Sequence, residues 1–219
     1  MIKRVEAPEE LKGIALEAIE RGFEKNMNNI VFKFEYEERH QDSDDLIEYH
    51  DELQKQMTDT KIRCMLNIGV SEDGSLMNIP INEGMLKKWN VTKEDVFDVC
   101  MKNVDNEIFH LRPMGEVISE ICGDGVSEIL PGELPSNAMY VLSNQSNVNG
   151  ARMILSDHVK WFLKKQLGKY YIIPSSIHEL LIIPEGTNSQ EALEEMVKDV
   201  NNTVLSENEL LSYHVAFVA

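Results

Sequence analysis

Two serines, a histidine and a glutamate stand within five residues of one another in YYIIPSSIHELLIIPEG, residues 170–186. Ser176, His178 and Glu179 are the residue types of a hydrolase: a hydroxyl nucleophile, an imidazole base and a carboxylate to orient it. Their spacing argues against a local triad. The flanking runs YYII and LLIIP read as strands, where neighbouring side chains point to opposite faces. His178 then shares a face with Leu180 and Ile182, and Glu179 shares one with Ile177, Leu181 and Ile183. The two cannot act as an adjacent acid–base pair, although each can meet a residue from another element. The first reading of the motif is structural, with His178 and Glu179 locking the PSS turn. Hydrolysis by Ser176, His178 and Glu179 is the alternative.

Other chemistry is poorly represented. HELLI begins like the zinc motif HExxH, but Ile182 stands where the second histidine belongs, and the segment reads as strand rather than helix. A metal site made from His158, His178 and His214 would need the fold to gather them. No GxSxG, GxxxxGK[ST] or GxGxxG occurs, so neither a nucleophile elbow nor a nucleotide cradle is visible. Neither a metal nor a cofactor is expected. Cys64, Cys100 and Cys122 are an odd number without CxxC spacing. They read as reduced thiols of a cytoplasmic protein, with Cys100 and Cys122 on apolar helix faces.

Charge gives the stronger signal. The net charge is −17, which would repel a nucleic-acid backbone and excludes direct nucleic-acid binding. Residues 35–52, EYEERHQDSDDLIEYHDE, hold nine acids and one arginine. A second cluster comprises Glu191, Glu194, Glu195 and Asp199. The expectation is an acidic accessory protein that engages a protein partner, one that is basic or itself binds nucleic acid. The candidate surface is Glu38, Asp42, Asp44 and Asp45, together with Asn144, Ser175, Ser176, His178 and Glu179. No apolar run approaches the ~18 residues of a membrane span. MIKRVEAPEELKG has no apolar core of a secretory signal. A cytoplasmic location follows as the expectation, with no membrane partner.

These residues need a scaffold, and the pattern predicts an α+β one. Helices are expected over APEELKGIALEAIERGFEKN, SDDLIEYHDELQKQM, EGMLKKW, NVTKEDVFDVCMKNV with Thr92 and Asp95 in a capping pattern, RPMGEVISEIC, SDHVKWFLKKQLG ended by Gly168, and TNSQEALEEMVKDVNN with a Thr187…Gln190 capping box and an apolar face of Leu193, Met196, Val197 and Val200. Strands are expected over NIVFKFEYEE, a KIRCMLNIGV–SLMNIPIN hairpin turning at Asp73-Gly74, AMYVLS, ARMILS, KYYII, IHELLIIP and LSYHVAFVA. GDGVSEILPGELPSN reads as the loop between two halves. The halves are a lobe of residues 1–125 and a ββαββαβ unit of residues 126–219, a mainly antiparallel sheet with helices on one side.

AMYVLSNQSNVNGARMIL, YYIIPSSIHELLIIPEG, EEMVKDVNN and LLSYHVAFVA resemble the C-terminal signature of a bacterial family of unknown function from Firmicutes. NIPINEGMLKKWNVTKEDVFDVCMKN resembles an upstream segment of the same family, so the likeness covers roughly residues 60–219. It implies a shared fold and a shared site around PSSIHE, carried here by Asn144, Pro174, Ser175, Ser176, His178, Glu179, Asn201 and Ser212. It also implies a phage-like or conjugative gene setting. Larger members carry further N-terminal sequence, which implies a module this shorter chain lacks. It implies no reaction.

Overall fold

The computed structural model describes residues 9–37, 45–70, 76–122, 138–186, 188–203, 205–206 and 209–219. The architecture is α+β, with antiparallel sheets. The chain divides into two compact units that interleave along the sequence. The first holds residues 1–32, 42–49 and 63–103; the second holds 33–41, 50–62 and 104–219. This division does not fall at residue 125/126.

The first unit holds α1 (Glu9–Glu20), α2 (Phe23–Asn26) and the first three residues of β1 (Ile30–Tyr36). Alternation in IVFKF puts Ile30 and Phe32 into the core and leaves Val31 half-buried. β3 (Thr60–Val70) pairs antiparallel with β4 (Leu76–Pro80), as the hairpin pattern predicts, with Asn67 opposite Asn78; the Asp73-Gly74 turn lies outside the described residues. α3 (Glu83–Trp89) ends on Asn90 in the left-handed conformation (φ 56°). α4 (Lys93–Asn106) starts from the predicted capping box. The Asp95 N–H donates to Thr92 Oγ1 at 3.2 Å, and the Thr92 N–H donates back to Asp95 Oδ2 at 2.8 Å.

The helix expected over SDDLIEYHDELQKQM does not form. A helix with Leu46, Tyr49, Leu53 and Met57 inward would leave Ile47 outside, and Ile47 is fully buried. Its N–H donates to the Ile81 carbonyl, and its own carbonyl accepts from the Cys64 N–H. Residues around it are therefore extended, with the short strand β2 at Glu48–Tyr49. Within the second unit the chain then makes one 3-10 turn, Glu52–Lys55, capped by Asp51 and Gln54.

The second unit is built on a five-stranded antiparallel sheet, in the order β5–β6–β8–β7–β9. The strands are β5 (Phe109–Pro113), β6 (Tyr140–Asn144), β7 (Tyr170–Ile173), β8 (Leu180–Pro184) and β9 (Ala216–Val218). β5 was not foreseen, and it lies before the expected 125/126 boundary. The registers sort side chains into two faces. Phe109, Leu142, Leu180, Ile182 and Ile172 share one, against which α6 (Asp157–Leu167) packs through Phe162, 5.5 Å from Phe109 between ring centres. The other carries Ile173 and Ile183, which pack with Leu193 and Val197 of α7 (Gln190–Thr203). Helices thus cover both faces rather than one.

ARMILS is a 3-10 helix, Gly150–Leu155, rather than a strand. All six of these residues are buried, whereas a strand with one solvated face would alternate. Gly168 ends α6, as the sequence suggests, and Ser156 caps its start. In α7 the expected cap Thr187 is outside the described residues; Ser189 Oγ accepts from the Ala192 N–H. Cys64 and Cys100 are buried, but Cys122, at the end of α5 (Met114–Cys122), is exposed rather than on a buried face.

Candidate functional site

β6 and β8 are antiparallel neighbours, with Leu142 opposite Leu180. The segment just after β6, NQSNVNG, therefore meets the segment just before β8, PSSIHE. The two clasp each other through His178. Its ring Nδ1 accepts from the Asn149 N–H at 3.1 Å, and its carbonyl accepts from Ser143 Oγ at 2.8 Å. The ring nitrogen that accepts carries no proton, so the imidazole hydrogen sits on Nε2. Asn149 is in the left-handed conformation (φ 51°), which asparagine tolerates better than most residues. This turns its N–H toward the imidazole.

Gly150 makes the close approach possible. A Cβ there would lie 2.2 Å from Ser143 Oγ, 2.5 Å from the His178 carbonyl oxygen and 2.8 Å from the Asn144 nitrogen. Asn144 completes the turn by accepting from the Val148 N–H and donating to the Val148 carbonyl. Its amide also donates to Glu107 Oε1 at 2.6 Å. Glu107 in turn accepts two bonds from Arg152, at 2.9 and 3.0 Å. Neither Glu107 nor Arg152 was anticipated. The signal was present, because Arg152 is the lone charge in the apolar run GARMIL, and a buried guanidinium needs a carboxylate.

Ser176 is buried, and its Oγ accepts from the backbone N–H of His178 at 3.1 Å. No hydrogen bond joins that oxygen to the imidazole among the described residues. Ser175 Oγ lies 3.4 Å from Glu179 Oε1. Across the sheet, His110 on β5 lies in the field of Arg112 and Glu179. Burial first, then Arg112, lowers its pKa, against a bond with the Asn147 side chain and the charge of Glu179. The remaining residues of the resemblance also tie elements together: Asn201 Nδ2 donates to the Ser212 carbonyl at 2.8 Å, and Ser212 Oγ donates to Asp59. Among the described residues no group of histidines, cysteines and carboxylates could hold a metal.

The acidic surfaces separate into two kinds. Glu38, Asp42 and Asp44 lie outside the described residues, and Asp45 is exposed. Other acids of residues 35–52 meet cations of the same chain: Glu35 with Lys33, Glu37 with Lys61, Glu48 with Arg63, Asp51 with Lys160 and Glu52 with Lys55. On α7 the acids Glu191, Glu194, Glu195 and Asp199 form no ion pair among the described residues. Its own N–H and the Ser189 hydroxyl hold the Glu191 carboxyl below the usual range.

α7 has two apolar rows rather than the single face expected from Leu193, Met196, Val197 and Val200. Leu193 and Val197 are buried, whereas Met196 and Val200 are each 39% exposed. Spacing of four places Ala192, Met196 and Val200 in one row and Glu191, Glu195 and Asp199 in the row beside it. Lys198, the one cation of the helix, lies on the other side of the acidic row.

With this α+β fold, the chain belongs to the family of unknown function DUF5688, whose family model matches residues 13–217. No curated protein and no solved structure matches it. Among the described residues no helix is long and apolar enough to cross a membrane.

Proposed function

We propose that this protein is an acidic accessory protein, and that the outer side of α7 docks a basic amphipathic segment of a partner protein. The observation that carries the reading is the pair of parallel rows on α7. Half-exposed Met196 and Val200 offer apolar contact, and Glu191, Glu195 and Asp199 beside them form no ion pair among the described residues. A segment with apolar residues flanked by lysine or arginine satisfies both rows at once. Long-range attraction from the net charge of −17 speeds encounter with such a partner. The same chemistry admits a basic protein that itself binds nucleic acid. The polar residues of PSSIHE act as the clasp that holds the β6 and β8 loops together.

Affinity capture at low salt tests the reading, with wild type beside Met196→Asp/Val200→Asp. Both positions are already half-exposed, so the variant retains its fold. The expected result is a stoichiometric basic partner on the wild type that the variant loses. Equal capture by both proteins would remove α7 as the docking surface.

A further inference from the structure

A pocket of about 530 Å³ opens in the second unit between α6, the 3-10 turn Glu52–Lys55 and strands β7 and β9. That volume lies within the roughly 300–1,000 Å³ of small-molecule sites. Leu53, Ile154, Tyr170 and Ile172 line it and are buried, while Phe217 and Val218 line it from β9 and are half-buried. The floor is therefore apolar and shielded from bulk water. No residue of α7 lines the pocket, so it is independent of the docking surface proposed above.

The turn that carries Leu53 is a strap pinned on both sides. Before it, Asp51 pairs with Lys160 of α6 at 3.0 Å and accepts from the Leu53 N–H at 2.9 Å. After it, the Gln56 side chain bonds both backbone groups of Phe217. Its Nε2 donates to the carbonyl at 3.0 Å, and its Oε1 accepts from the N–H at 2.7 Å. These bonds hold Leu53 over the floor, as a preformed site requires. The charged side chains at the rim also have partners within the chain. Asp51 is matched by Lys160 and Glu52 by Lys55, and Lys164 donates to an oxygen of Ala219. Burial pushes the Tyr170 hydroxyl up to about 12, so that group stays uncharged.

We infer that this pocket binds an uncharged, predominantly hydrocarbon small molecule, with its body against Leu53, Ile154 and Val218. The body is a ring system or a medium-length alkyl chain with at most one neutral polar group. A charged ligand would have to enter the apolar floor without a counterion or break one of the rim pairs, and either costs free energy that apolar contact must offset. An uncharged ligand leaves every rim bond intact and gains from the apolar area it removes from water.

Titration with Nile red, an uncharged fluorophore, tests the site, followed by displacement with octanol, octanoate and octylammonium, three heads on one chain. The expected result is saturable one-to-one binding that octanol displaces about tenfold more strongly than either ion does. Val218→Trp, which fills the pocket from the edge strand, should weaken binding about tenfold or more. Methyl NMR of the wild type needs no variant and stays informative if the tryptophan variant does not fold. Octanol should shift the Leu53, Ile154, Ile172 and Val218 methyls and leave those of Val200 on α7 in place. Absence of saturable binding, shifts confined to methyls outside the pocket, or unaltered binding in a folded Val218→Trp would overturn the site. Displacement by octanoate or octylammonium equal to that by octanol would overturn the uncharged class. Self-association in sedimentation velocity that octanol dissolves would assign the pocket to a second copy of the chain and overturn the small-molecule ligand.

Discussion

The imidazole Nδ1 of His178 accepts the backbone N–H of Asn149 across 3.1 Å, joining two loops that are 29 residues apart in sequence. This bond answers why a histidine sits beside a buried strand: the ring supplies an acceptor for an N–H that the left-handed turn at Asn149 directs away from the regular ladder. Replacing it by alanine leaves that buried N–H without its partner. His178→Ala should cost about 2 kcal/mol, within the usual range for a buried donor left unsatisfied. Urea unfolding measures it, and an unchanged midpoint would show that the clasp carries no stability.

Gly150 is the position where added bulk has nowhere to go. Two of the three atoms that a Cβ would strike belong to backbone, at His178 and Asn144. Backbone yields less readily than a flexible side-chain tip, so Gly150→Ala should destabilise the chain by about 1–3 kcal/mol or more. The same unfolding measurement applies, with weakened amide protection expected in the β6 and β8 loops.

Glu107 and Arg152 form a bidentate pair in which the arginine side chain is 9% exposed and the glutamate 25%. Glu107→Gln leaves the guanidinium without its charge partner. A loss of about 3 kcal/mol is expected, the low end for breaking a buried pair because Glu107 is partly solvated. Adding Arg152→Met should recover part of that loss, and a double-mutant cycle measures how much.

His110 gives the protein a pH dependence whose sign is fixed. Burial and Arg112 lower its pKa from 6.5, the value it regains on unfolding. Between the two values the unfolded chain binds more protons, so stability rises with pH. The His110 contribution is complete above about pH 6.5 and is lost as the pH falls through the folded pKa. The stability difference between wild type and His110→Gln should therefore shrink as the pH drops from 7 toward 5. A constant difference over that range would contradict the assignment.

Much of this scaffold is legible in the sequence because local chemistry and tertiary packing agree. Thr92 with Asp95 and Gly168 after α6 mark helix ends without help from the rest of the chain. Alternation does the same for β1. The misses occur where packing overrides a short pattern. Ile47 pulls its segment into an extended form that a helical stripe ignores. GARMIL, apolar apart from Arg152, fits a strand or a buried 3-10 helix equally well. β5 holds His110 and Arg112 in FHLRP, too few apolar residues to stand out. At the site, the residue types of PSSIHE were visible, but their bonds depend on NQSNVNG being brought alongside by the β6–β8 pairing. Likewise, periodicity assigned Met196 and Val200 to the core side of α7; only the fold separates them from Leu193 and Val197.

The measurement that bears most directly on the central claim is calorimetric titration of the captured partner's basic segment into wild type and into Glu191→Lys/Glu195→Lys/Asp199→Lys. The account predicts at least a tenfold loss of affinity in the charge-reversed protein, equivalent to about 1.4 kcal/mol. It also predicts a salt dependence that is steep for the wild type and shallow for the variant. Equal affinity and equal salt dependence in the two proteins would contradict it.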